Sequence, residues 1–157
     1  MLNIIILKQI AILSAIAGAV LGVATVLPIV KIFSITILVI CLSAFVLVFM
    51  KRENLIGAFD LKEGAIMGCV AGFVSFITAS IVYIPLDIIL GLIPPFAPYF
   101  WVKPFFSLGF AGVFTLIMMV FFVALLSALM NAFAGLAMSY IYEFLAGLNN
   151  NNNKFRL

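Results

Sequence analysis

Charged residues fall at a few places along the chain and leave long apolar runs between them. The charge-free stretches are residues 9 to 30, 32 to 50, 64 to 86, 88 to 102 and 104 to 142. The first three hold 22, 19 and 23 residues, each close to the ~20 apolar residues that carry one helix across a hydrocarbon core. The fourth holds 15 and is broken by proline; the fifth holds 39, too many for one simple span. Strands would alternate apolar and polar residues, which Ile35-Thr36-Ile37-Leu38-Val39-Ile40 does not do, so a membrane barrel is excluded. The pattern predicts an all-α, polytopic transmembrane helix bundle, with four spanning helices at about 9–30, 32–50, 64–86 and 115–142 inside a single domain, 1–148.

The long fifth stretch has two readings. An unbroken helix from Phe106 to Tyr140 would rise about 50 Å against a ~30 Å core, more than tilt absorbs. In one reading, Phe105 to Phe114, with Gly109 and Gly112, lies along the outer interface before a span that starts near Thr115. In the other, the chain turns near Asn131 and makes a fifth span. The five-span path has no Pro or Gly between Val113 and Ala134 to make that turn, and it buries Glu143. Four spans is the expectation.

Composition agrees with the pattern: 68% of the 157 residues are apolar, 8% are charged and mean hydropathy is +1.43, too little polar surface for a water-soluble domain. Charge then sets orientation. Lys8, Lys51, Arg52, Lys62, Lys154 and Arg156 fall on one side of a four-span path and only Lys31 and Lys103 on the other, which predicts both termini cytoplasmic, in a cell inner membrane. The net charge of +3 is a topology signal with mild attraction to anionic lipid, not a nucleic-acid footprint. A cleaved signal peptide over residues 1–24 is the rival for the first span, but no basic segment precedes its apolar run. The asparagine-rich tail 149–157 is expected to be disordered.

All six prolines fall in the predicted outer half, most densely over Pro94 to Pro104, where the aromatic residues suit an interfacial loop; a re-entrant cap over a cavity is the alternative. Asp60 and Glu63 suit the cap of the third helix. Helices in lipid associate largely by close packing at small side chains. Such residues recur at helical spacing in the first span (Gly18, Gly22), the third (Gly64, Gly68, Gly72) and the last (Ala124, Ala128, Asn131, Gly135). These stripes are read as building the monomer's own bundle, with a homo-oligomer interface as the alternative. The second span, bulky on most faces, is the expected lipid-facing helix.

The junction Gly57-Ala58-Phe59-Asp60-Leu61-Lys62-Glu63-Gly64-Ala65, leading into Gly68 and Gly72, resembles that of small four-helix bacterial membrane proteins of unassigned function. The resemblance covers residues 50 to 85 and the span count. It implies a fold and carries no functional residue with it.

Chemistry has few places to sit. Asp87, Asn131 and Lys103 form the candidate polar or transport site. Counting from Ala65, the third span ends near Ile84, so Asp87 is expected at the outer interface after a Pro85 bend, paired with Lys103 or Lys31. Asn131, in mid-span, is expected to bond across to another helix, and Glu143 to sit solvated at the inner boundary. With no histidine, five scattered carboxylates and Cys41 and Cys69 in separate spans, neither a metal or other cofactor nor an enzyme activity is expected. The expected function is that of an accessory, assembly or scaffold subunit acting through helix packing, with the bilayer and a membrane-protein partner or a second copy as its contacts. A small transporter or channel component is the alternative.

Overall fold

The computed structural model describes residues 4–53, 55–56, 60–92 and 102–154, with the backbone alone at Lys103 and 146–154. Every regular element among them is helical. α1 is Ile4–Ala24; α2 is Pro28–Thr36, followed by a π-helical turn, Ile37–Cys41, and then α3, Leu42–Arg52; α4 is Leu61–Gly91, α5 Lys103–Ser107 and α6 Gly109–Lys154. Four spans result, because α2, the π turn and α3 form one continuous 25-residue helix, Pro28–Arg52. These helices are long and apolar enough to cross a bilayer, and the chain is a membrane protein.

Local chemistry sets the boundaries. The turn Thr25 to Leu27 is closed by hydrogen bonds from Val26 N–H to the Val23 carbonyl and from Leu27 N–H to the Ala24 carbonyl. Pro28 then opens α2, at the position where its missing N–H costs nothing. Asp60 caps α4, its carboxylate accepting from Leu61 N–H at 2.8 Å. Threonine hydroxyls inside the spans turn back onto their own helix, as Thr36 Oγ1 does to the Ile32 carbonyl and Thr78 Oγ1 to Val74.

Glycine fixes the path of the bundle. A Cβ on Gly18 would run into the Ser75 backbone and one on Gly22 would lie 2.7 Å from the Ala79 carbonyl, so α1 lies directly on α4, and in parallel. Gly64 meets Gly135 and Ser139, Gly68 meets Asn131, and Gly72 meets Ser127, a descending order that makes α4 and α6 antiparallel. The six stripe glycines are thus all occupied within one chain. Leu38 and Ser43 meet Ser127 and Asn131 in ascending order, so the second span runs parallel to α6. The path is up, down, up, down, and it returns Lys154 to the side of Ile4.

Several expectations change. α6 passes straight through Asn131, which removes the five-span path; it is one unbroken helix of 46 residues, longer than the ~30 Å core needs, against the expectation that so long an apolar segment would be interrupted. Its start is Gly109 rather than Thr115: only the five residues of α5 precede it, and Gly109, at φ +61, turns the chain between them. Gly112 lets the first turn of α6 rest on the Phe105 carbonyl. The backbone of the asparagine run continues α6 to Lys154, because extending a helix adds one hydrogen bond per residue without a new nucleus.

The second span is not the lipid-facing one. Phe33, Phe45 and Phe49 are exposed as expected, but Ser34, Leu38, Leu42, Ser43, Val46, Leu47 and Met50 form a buried face. One third of its best apolar window is buried, as in α4, against 17% for α1. The proline-rich segment 93–101, with Pro94, Pro95 and Pro98, lies outside the described residues.

Candidate functional site

Two polar centres lie in the bundle, at different depths. The first is built on the π turn. A π turn withdraws one residue from the regular ladder and leaves backbone groups without their usual partners. At this turn the Asn131 side chain from α6 meets three backbone groups, the carbonyls of Leu38 and Val39 and the N–H of Ser43. Its Nδ2 donates to Leu38 O and Val39 O, both at 3.0 Å, and its Oδ1 accepts from Ser43 N–H at 2.8 Å.

Serines complete the contact. Ser43 Oγ donates to the Asn131 carbonyl at 2.8 Å, and Ser127 Oγ lies 3.0 Å from Leu38 O and 3.1 Å from Gly72 O. Asn131, Ser43 and Ser127 are all fully buried. Gly72 admits the cluster, since a Cβ there would stand 2.7 Å from Asn131 Cβ. Three spans therefore meet at one amide.

The second centre is Asp87, 1% exposed. Pro85 does not end α4, which continues to Gly91, so Asp87 lies inside the helix rather than beyond it. Its Oδ1 accepts from the Tyr83 hydroxyl at 2.6 Å, one turn back, and its Oδ2 from the Val102 N–H at 3.2 Å. Lys31, in the first turn of α2, donates from Nζ to the Tyr83 oxygen at 3.0 Å and also lies over the Tyr83 ring, 5.4 Å from its centroid. Lys31 thus reaches Asp87 through a phenol. The clasp joins α2, α4 and the residue just before α5.

The expected three-residue site is not one place. Gly72, beside Asn131, and Asp87 are 15 residues apart in α4, about 22 Å along the axis. The Lys103 backbone opens α5 directly after Val102, whereas its side chain lies outside the described residues. Glu143 is exposed beyond Tyr142, whose ring lies 5.8 Å from Lys51 Nζ. Cys41 and Cys69 are free thiols. Among the described residues no three His, Cys, Asp or Glu side chains gather to hold a metal.

Sequence reasoning passed over Ser43, Ser127 and Tyr83. Ser127 and Tyr83 each stand four residues before the polar residue they serve, a spacing that places both on one helix face. Ser43 gave no such signal.

Between the two centres, α1, the second span, α4 and α6 line a partly open cavity of about 220 Å³. Its walls are apolar, and Lys31 and Tyr83 line it from the Asp87 end. Comparison with protein families, with curated proteins and with solved structures finds no match to this chain.

Proposed function

We propose that the chain is an accessory or scaffold subunit of a membrane assembly in a cell inner membrane, with both termini cytoplasmic. One observation carries the reading: the two interior polar centres, at Asn131 and Asp87, grip neighbouring helices. Asn131 bonds to the backbone of the second span, and Asp87 ties α4 to α2 and to Val102. A bundle fastened in this way holds a fixed surface toward other chains. The orientation is supported by Lys51 and Arg52 in the last turn of α3 and Lys62 in the first turn of α4, basic residues that favour the cytoplasmic side.

A transporter or channel component is the second reading, favoured by the cavity beside Lys31 and Tyr83. Extraction in mild detergent followed by complex-mass measurement separates the two. The accessory reading expects a different membrane protein at fixed stoichiometry, whose level falls when this chain is deleted. A chain recovered alone, or only with copies of itself, that carries solute flux after reconstitution overturns it.

A further inference from the structure

We propose that the cavity at the Lys31 end of the bundle holds one acyl chain of an anionic membrane lipid, with the headgroup set against Lys31. This site is independent of the accessory reading. Scaled from the six carbons of benzene, which fill an engineered apolar cavity of ~150 Å³, a volume of 220 Å³ suits roughly nine carbons in line. Apolar side chains from the second span, α4 and α6, among them Leu38, Phe76, Leu116 and Val123, make up most of its walls, and Gly22 of α1 completes them. Such a surface offers a chain contact and, away from the Lys31 end, offers water few partners.

Access is sideways. Ile35 of α2 and Met119 of α6 line the cavity and are each 40% exposed on the outside of the bundle, so it opens between these helices onto the surface that faces hydrocarbon. An unfilled apolar space there forfeits its dispersion contacts, whereas acyl chains stand at its mouth at very high concentration.

The headgroup preference comes from the other end. Lys31 is the one charged residue among the described cavity walls, and it stands in the first turn of α2, at the end of its span, where a basic side chain suits a lipid phosphate. Asp87 is not among the wall residues; it is 1% exposed, and its two oxygens accept from the Tyr83 hydroxyl and the Val102 N–H. A phosphate presented to Lys31 Nζ therefore meets a cation already oriented by Tyr83, with an apolar slot directly beside it.

Native mass spectrometry of the full chain, equilibrated with equal phosphatidylglycerol and phosphatidylcholine, tests the site. The wild type should retain one lipid per chain with about a fivefold preference for phosphatidylglycerol, the preference that one surface lysine gives. Val123→Phe and Ser80→Leu, which fill the cavity from two different helices, should lose the retained lipid while the protein stays monodisperse. Lys31→Gln should keep a lipid and lose the preference. Millimolar inorganic phosphate should leave retention unchanged, since the chain and not the phosphate alone is held. Equal retention of both lipids by the wild type, wild-type retention in either monodisperse cavity-filled variant, a preference that survives Lys31→Gln, or displacement by inorganic phosphate each overturns the proposal.

Discussion

A primary amide carries the carbonyl acceptor of a peptide unit and one N–H donor more, which is why one asparagine can bridge the backbone of a helix that is not its own. Asn131 gives the Ser43 N–H an acceptor and donates to the Leu38 and Val39 carbonyls. Replacing it by leucine keeps the volume close and strands two backbone groups, the Val39 carbonyl and the Ser43 N–H, while Leu38 O keeps the Ser127 hydroxyl. A buried unsatisfied group costs roughly 1–3 kcal/mol, while single interhelical bonds in membranes average ~0.6 kcal/mol. Between these limits, Asn131→Leu should lower unfolding stability by about 2 kcal/mol in detergent titrations. Phe122→Leu, on the exposed face of the same helix, should stay within about 0.5 kcal/mol. Equal effects for the two variants would remove the amide's special role. The sequence marks Asn131 because an amide in an apolar run demands a partner. It does not mark the partner, because Ile37-Leu38-Val39-Ile40-Cys41 contains no Pro or Gly to announce a π turn.

Helices in this bundle are placed by where side chains are missing. Gly68 and Gly109 separate two reasons for a glycine. At Gly68 an added Cβ would meet the Asn131 carbonyl and lie 3.1 Å from Ala132 Cα, backbone that cannot rotate away. At Gly109 nothing stands within 4 Å, and the demand is conformational, φ +61. Gly109→Ala should therefore cost only about 1–2 kcal/mol, the price of the left-handed conformation, and leave the bundle intact. Gly68→Leu should force α4 from α6 and lower the thermal midpoint in detergent well beyond the Gly109 variant. The reverse order would mean that the α4–α6 contact is not the close one described. These stripes were legible from spacing alone, since a face of small residues every three or four positions has few other uses in lipid. Helix ends were less legible. Pro85 reads as a stop, yet proline withdraws only one donor and α4 continues past it, which carries Asp87 into the interior and onto Tyr83.

At the scale of the whole chain, charge spacing anticipated the number of crossings and missed how the last two polar residues divide between separate centres. Distance across a folded bundle depends on register, and register is set by Gly64, Gly68 and Gly72 against α6 rather than by any charge. Every contact described depends on four crossings, with α6 unbroken through Asn131. Single cysteines at Glu53, between the second and third spans, at Glu143, near the far end of α6, and at Leu27, in the first turn, report that path in a chain whose Cys41 and Cys69 are replaced by alanine. Labelling with a membrane-impermeant maleimide in sealed vesicles of known orientation should modify positions 53 and 143 from the same side and position 27 from the opposite one. Labelling of 53 and 143 from opposite sides would contradict the four-span bundle.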